Sequence, residues 1–225
     1  MARRTPMQRF ARWHIWLGWA AAIPMILWTV SGVFMTLRPI DTVRGEQLRR
    51  PPALLQTANL SAPRLASPVK RLALTEQHGV SVWVATDAAG NQARYAADGM
   101  PIPPVGEAEA RELAVAAYAG KAALQAITHF AADAAPLDLR KERPSWQAVF
   151  ADGTHIYIDA ETGEVLALRT GWWRAYDLMW GLHIMDPVGR EDTSHWLLWL
   201  FGAVGIVTSL FGATLLFRRR RALQR

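Results

Sequence analysis

Histidines are the residues of this sequence best suited to chemistry, because the chain contains no cysteine. Disulfides, thiolate zinc sites, iron–sulfur clusters and covalent haem attachment through C-x-x-C-H are therefore excluded. Three of the six histidines, His14, His183 and His195, stand near the ends of long apolar runs. Two imidazoles at one depth of such an apolar region could hold haem b as axial ligands.

Each of these histidines also has a plainer interpretation. His14 stands between Trp13 and Trp16, so it could belong to an aromatic belt at a membrane surface. His183 lies on the apolar face of residues 171–186, which predict an interfacial amphipathic helix. His195 opens the second apolar run, directly after an N-cap candidate, Ser194. On the ligand interpretation, His183 and His195 form the metal or haem pair within one chain, whereas two copies of His14 could meet only in a homodimer.

Two apolar runs must position these histidines, one over residues 13–37 and one over residues 195–217. Each is long enough to cross a hydrocarbon layer of about 30 Å, and neither contains Asp, Glu, Lys or Arg. A cleaved signal peptide is less consistent with the first run, which is longer than a usual h-region and is followed by no A-x-A site. The sequence therefore predicts two transmembrane helices and a lipid bilayer as partner.

Charge indicates the orientation of these helices. The tails, residues 1–12 and 218–225, carry nine arginines and no acid, whereas residues 38–195 carry sixteen basic and nineteen acidic residues. Because basic residues collect on the cytoplasmic side, both termini are predicted to be cytoplasmic and the central region external. The central region is net acidic, which removes the electrostatic argument for nucleic-acid binding.

The central region is predicted to be a linker over residues 38–68, followed by an α+β domain over residues 69–170. Residues 106–120 repeat apolar side chains at helical spacing behind acidic first-turn residues, and Gly120 is a plausible C-cap. Alternating or short apolar stretches predict an antiparallel sheet packed by this helix. The predicted strands cover residues 80–86, 91–99, 124–130, 145–151, 154–160 and 164–169.

One pattern of small residues bears on how the apolar helices pack. Gly205, Ser209 and Ala213 recur every four residues, a spacing that permits close helix packing. The partner of this stripe is either the other span of the same chain or a second copy of the chain.

A weak internal repeat of strand, turn and strand also indicates that the domain could contain two related halves.

The stretch WQAVFADGTHIYIDAETGEVLAL resembles the C-terminal half of a PepSY domain, whose strands end in a Tyr-x-Asp-x-x-Thr-Gly-Glu-Val turn. The residues that match this motif are Tyr157, Asp159, Thr162, Gly163 and Glu164. In such a turn we expect Gly163 to take a positive φ and the Asp159 carboxylate to accept backbone N–H groups.

The flanks resemble the PepSY-associated transmembrane proteins of bacterial inner membranes, through an Arg-x-His-x-Trp-Leu-Gly element at residues 12–18 and a Leu-His element at residues 182–183. Many of those proteins have four or more spans, whereas this chain has two. The resemblance implies a bacterial inner-membrane protein with a periplasmic PepSY domain.

The resemblance also implies a function. Some relatives are ferric-siderophore reductases that hold haem between their helices, so it implies an accessory or haem-binding redox component of iron uptake, with a periplasmic protein or a ferric ligand as partner. The alternative is a non-enzymatic periplasmic binding module that regulates a peptidase or another envelope protein. Whether the chain is an enzyme stays open, because the sequence contains no hydrolytic constellation.

Overall fold

The computed structural model describes residues 6–223, with side chains from residue 8 to residue 218. The described chain divides into two compact units. The helical unit comprises the residues up to Arg38 and those from Ala175 onward, and the mixed unit comprises Pro39–Arg174. The predicted basic tails, residues 1–12 and 218–225, lie partly outside the described residues.

The helical unit is built on two long helices, α1 (Pro6–Thr36) and α5 (Trp196–Leu223). Both are long and apolar enough to cross a membrane, over Gln8–Thr36 and Trp196–Arg218. The two helices pack against each other, with the rings of Phe10 and Phe211 4.9 Å apart. Most of their remaining apolar surface is exposed, as at Trp19, which is 74% exposed. This arrangement is compatible with membrane anchoring.

The face of α5 that packs on α1 differs from the predicted small-residue stripe. Gly205 and Gly212 are half-buried, whereas Ser209 and Ala213 are exposed. The half-buried residues of α5 recur instead at Val204 and Thr208, a face rotated away from Ala213. Within one chain, Gly212 rather than Ala213 therefore provides the small surface against α1, and packing of the stripe on a second copy of the chain stays a prediction.

Between the two long helices the helical unit contains the end of α4 (Gly171–His183) and a loop that leads to α5. Asp177 and Gly181 of α4 are buried. The loop folds back over them, and Arg190 Nη1 lies 2.8 Å from Asp177 Oδ2. An ion pair therefore fastens the loop to the helix.

The mixed unit contains two four-stranded antiparallel sheets, each with its strands in chain order. The first sheet is formed by β1 (Val69–Gln77), β2 (Val80–Asp87), β3 (Gln92–Tyr95) and β4 (Pro101–Ile102). The second sheet is formed by β5 (Leu124–Phe130), β6 (Ser145–Phe150), β7 (His155–Asp159) and β8 (Val165–Arg169). The α+β class is confirmed, with two sheets where one was predicted. The six predicted strands are present, as β2, β3 and β5–β8, and β1 and β4 are additional.

Helix α3 (Glu107–Ala117) lies between the two sheets in sequence and packs on the second sheet. Its buried face, Ala110, Leu113 and Ala114, contacts a cluster of apolar side chains from β6, β7 and β8. The predicted C-cap at Gly120 was wrong. The helix ends at Ala117 because residues 117–119 turn into an extended segment that pairs with residues 48–50, through hydrogen bonds such as Arg50 N to Ala117 O.

The segment before β1 contains a short helix, α2 (Ile40–Arg44), and a 3-10 turn over Glu46–Leu48. Val43 of α2 is buried, and its carbonyl accepts a hydrogen bond of 3.4 Å from the Thr170 hydroxyl. Gly45 approaches so closely that a Cβ there would lie 2.5 Å from Leu168. The beginning of the mixed unit is therefore packed on the strand that ends it.

Candidate functional site

The three predicted ligands of a metal or haem occupy different surroundings in the helical unit. His183 is the last residue of α4, and its ring stacks on Trp28 of α1 with centroids 5.8 Å apart. Its Nδ1 lies 3.1 Å from the Ser31 hydroxyl oxygen, which itself donates to the Leu27 carbonyl. The contact with Ser31 engages Nδ1 of His183, so a metal bound by His183 without loss of this contact would take the Nε2 atom.

His195 acts as the N-cap of α5. Its Nδ1 accepts a hydrogen bond of 3.3 Å from the backbone N–H of Leu197, and its carbonyl accepts one of 3.0 Å from Leu198. The predicted cap was Ser194, which lies one residue earlier in the chain. With Nδ1 as acceptor, the neutral ring carries its proton on Nε2. Ligation of iron by Nε2 would therefore cost His195 its capping bond.

His14 lies on α1 at the level of Gly212 of α5. A Cβ at Gly212 would be 3.1 Å from the Cε1 atom of the His14 ring, so only glycine lets the ring approach this closely. Its Nδ1 is buried and has no hydrogen-bond partner among the described residues. Seventeen residues separate His14 from Ser31, the contact of His183, which is roughly 25 Å along a helix. These two histidines cannot share one metal ion.

The apolar cavity of the helical unit does not fit a bis-histidine haem. Its volume is about 340 Å³, and none of the described residues that line it is a histidine. No group of three or more His, Asp or Glu side chains in the described part of the chain is placed to hold a metal ion. Haem b at His183 and His195 stays a sequence-based prediction. The cavity described above does not provide a binding site for it. The residues that line the cavity are Ala21, Pro24, Met25, Trp28, Met185, Phe201, Gly202, Gly205, Ile206, Ser209 and Leu210.

The PepSY-like turn has the geometry that its sequence predicts. The Asp159 carboxylate accepts the backbone N–H groups of Glu161 and Thr162, each at 2.9 Å, and Gly163 has a φ of 76°. Asp159 is 1% exposed, and its second oxygen lies 2.7 Å from Arg143 Nε. One carboxylate oxygen therefore accepts two hydrogen bonds and the other faces a guanidinium in an ion pair, which fixes the turn between β7 and β8.

This turn forms one wall of a cleft in the mixed unit. The cleft has a volume of about 640 Å³ and lies where the β1–β2 turn, α3, the β7–β8 turn and the segment after residue 48 meet. Its floor is apolar, and its rim carries charged groups of both signs. The floor comprises Leu113, Ala116, Ala117, Val165 and Leu168, and the rim includes Arg49, Arg50, Glu76, His78 and Glu164.

Hydrogen bonds hold the walls of the cleft in place. Glu76 accepts the backbone N–H of Ala53 at 3.1 Å and that of Gly79, which ties the β1–β2 turn to the segment after residue 50. Gln77 donates to the Thr162 carbonyl at 2.6 Å, which ties the same turn to the PepSY-like turn. Preformed walls of this kind are typical of binding sites. The sequence did not predict the cleft, because its walls come from four separate segments.

A polar network covers the other face of the second sheet. Tyr157 donates its hydroxyl to Asp138, Gln147 donates to the Tyr157 oxygen at 2.6 Å, and Nδ1 of His155 lies 3.3 Å from Asp138 Oδ2. Burial alone would raise the pKa of Asp138, but the hydrogen bonds from His155 and Tyr157 hold it below its ordinary value. Burial and the neighbouring carboxylate raise the pKa of Tyr157.

The ring of His155 is engaged within this network, where its contacts are Asp138 and Gln147. Asp138 and Gln147 were missed in the sequence, since a carboxylate in an irregular loop and an amide in a strand carry no local pattern.

Comparisons of the chain with protein-family models, with curated proteins and with solved structures find no match. The resemblance to PepSY domains therefore rests on the motif residues alone. Among the features described, the cleft of the mixed unit combines an apolar floor, a charged rim and fixed walls, and it is the candidate functional site.

Proposed function

We propose that the chain is a membrane-anchored, PepSY-like binding protein of the bacterial inner membrane, whose mixed unit lies in the periplasm and binds an extended peptide segment of another envelope protein. The cleft of about 640 Å³ is the observation that carries this proposal. Its size falls within the range of ordinary ligand sites, roughly 300–1,000 Å³.

The chemistry of the cleft favours a peptide over a simple ion. The rim presents Arg49 and Arg50 together with Glu76 and Glu164, so a ligand of one charge would be repelled by part of it. A peptide offers an apolar side chain for the floor and both donors and acceptors for the rim. Recognition of extended peptides commonly combines main-chain hydrogen bonds with a pocket for a side chain.

Membrane anchoring is supported by the surface of the two long helices. Exposed apolar side chains surround both, including Ile23 on α1 and Leu216 on α5, which are 70% and 69% exposed. Burying apolar surface gains roughly 25 cal/mol per Å², so lipid around these helices would stabilise the protein strongly. The arginine-rich tails support a cytoplasmic location for both termini.

A binding experiment on the full chain in lipid nanodiscs tests the peptide proposal. A random library of displayed peptides is selected on the protein, and the enriched sequences are measured for affinity by fluorescence anisotropy. We expect Ala116→Trp, which fills the cleft, to weaken binding at least about tenfold, the loss of roughly 1.4 kcal/mol. The control is Val115→Trp, at the neighbouring, exposed position of α3 outside the cleft. Equal affinity of the two variants, or no enrichment over empty nanodiscs, contradicts the proposal.

A second proposal keeps the haem-binding role in iron or ferric-siderophore uptake and places the ligand at His14 of two copies of the chain. The observation that favours it is the buried, unpartnered Nδ1 of His14, since a buried polar atom without a partner is costly. The protein in mild detergent is titrated with haem. A Soret band that His14→Ala removes and His155→Ala leaves unchanged supports this proposal, and its absence in the wild type rejects it.

A further inference from the structure

Arginine and tryptophan side chains at the beginning of α1 line a cavity of about 390 Å³. The described residues around it are Arg9, Arg12, Trp13 and Trp16, which share one face of the helix by their spacing. We propose that this cavity binds the headgroup and glycerol region of an anionic phospholipid. The proposal depends on the membrane insertion proposed above and not on the peptide cleft.

The charge at this end of the helix pair suits a phosphate. Arg9 and Arg12 each offer a planar guanidinium, which can bind two phosphate oxygens at once. Because Phe211 packs on Phe10, the C-terminal part of α5 brings Arg218 to the same end. Neither α1 nor α5 contains an Asp or Glu that could neutralise these cations. The site is therefore selective for negative charge.

The order of residues along α1 follows the order of groups in a phospholipid. Arg9 and Arg12 come first, Trp13 and Trp16 follow, and the exposed aliphatic surface begins beyond them. From Arg9 to Trp16 the helix rises roughly 10 Å, which is comparable to the thickness of the interfacial layer. Both tryptophans are about two-thirds exposed, at 65% and 67%. Indole rings prefer this interfacial position, where one edge is wet and the ring is in apolar surroundings.

Native mass spectrometry of the full chain in detergent tests the site. The protein is incubated with equal amounts of phosphatidylglycerol and phosphatidylcholine that have the same acyl chains, and the bound lipids are counted. We expect the wild type to prefer the anionic lipid by roughly tenfold, as two basic residues near a membrane surface permit. Arg9→Gln/Arg12→Gln should abolish this preference while total lipid binding continues.

The matched control removes the same charge elsewhere. Arg64→Gln/Arg71→Gln changes two exposed arginines of the mixed unit and should keep the preference. Loss of the preference in this control, or its survival in Arg9→Gln/Arg12→Gln, overturns the proposal. Displacement of the lipid by excess inorganic phosphate would also overturn it, because the site would then be a free-anion site.

Membrane fractionation of cells separates this proposal from the insertion on which it depends. If the wild type is extracted from membranes by alkaline carbonate, insertion itself fails. If it stays in the membrane and shows no lipid preference, only the headgroup site fails.

Discussion

The two sheets of the mixed unit have the same strand order but different interiors. The second sheet packs on α3, and its main apolar cluster, including Phe150, Ile156 and Leu168, is closely packed and almost inaccessible. In the first sheet Val82, Val84 and Ala85 are buried, but the segment before it forms only the five-residue helix α2 and a 3-10 turn. The strand pattern that both sheets share therefore specifies an antiparallel meander. The longer helix α3 decides where the main apolar core forms.

The first sheet is attached to the rest of the mixed unit largely by polar contacts. The buried guanidinium of Arg94 donates to both Glu109 carboxylate oxygens, at 2.5 and 2.6 Å, and Gln77 donates to the Thr162 carbonyl. Apolar burial gives stability that varies little with geometry, whereas buried polar bonds fix orientation. The second sheet with α3 therefore supplies stability through apolar burial, and the first sheet is positioned on it by directional hydrogen bonds.

The largest expected effect comes from the core of the second sheet. Phe150→Ala removes a ring that is 2% exposed and packs 4.1 Å from the Tyr118 ring, and it should destabilise the mixed unit by about 3–5 kcal/mol. Val84→Ala in the first sheet removes less volume from a sparser interior and should cost about 1–2 kcal/mol. Urea unfolding of the full chain in detergent, followed by circular dichroism, measures both. Equal costs would remove the difference between the two interiors.

The next effect compares the two aspartates that organise turns. Asp159→Ala removes the acceptor of two backbone N–H groups in a buried turn and one of the two carboxylates that pair with Arg143, so we expect a loss of about 2–3 kcal/mol. Asp98→Ala, between β3 and β4 of the first sheet, removes an exposed acceptor for the Met100 N–H and should cost less than about 1 kcal/mol. A cost for Asp98→Ala as large as that for Asp159→Ala would show that the two turns are equivalent. Thermal unfolding of both variants provides the test.

A smaller effect separates two glycines of positive φ. Gly163→Ala should cost about 2 kcal/mol, because its φ is 76° and the new Cβ would lie 2.8 Å from Gln77 Oε1. Gly90→Ala in the first sheet has a φ of 93° and no neighbour within 4 Å, so only the backbone cost of about 1 kcal/mol applies. The same unfolding measurement distinguishes them. If Gln77→Ala does not reduce the penalty at Gly163, the clash is not its cause.

The smallest effect concerns pH. The pKa of Asp138 is lowered in the folded protein, so this carboxylate stabilises the fold above the ordinary pKa of Asp and loses that contribution as the pH falls through the lowered pKa, below about 4. Asp138→Asn should therefore reduce stability at neutral pH and differ little from the wild type in acid. Asp87 in the first sheet also has a lowered pKa, through its hydrogen bond with Asn91, but that bond is exposed to solvent. Asp87→Asn should show a weaker pH dependence in the same titration.

The elements with strong local patterns were predictable from the sequence. The six predicted strands and the body of α3 follow from apolar periodicity, and the turn at Asp159 and Gly163 follows from residue types that permit little else. Strand β1 was missed because its sequence, VKRLALTEQ, does not alternate apolar and polar residues strictly. The end of α3 was misplaced because a pairing with residues 48–50, distant in sequence, competes with the helix.

The candidate site was less predictable than the fold. The cleft depends on four segments between residues 49 and 168, and no local pattern shows that they meet. The histidines were conspicuous in the sequence because of their type, yet their roles depend on which ring nitrogen is engaged. For His195 a capping bond from Leu197 decides this, and for His183 the Ser31 hydroxyl does. Such bonds belong to tertiary structure.

The packing of Val43 and Gly45 against Thr170 and Leu168 has a consequence for modularity. Because the first and last segments of the mixed unit are neighbours, the unit can be regarded as a cassette inserted into a helical hairpin. Units with adjacent termini tolerate transfer between hosts. The same hairpin could therefore carry a different cassette, and this cassette could be grafted into a surface loop of another protein.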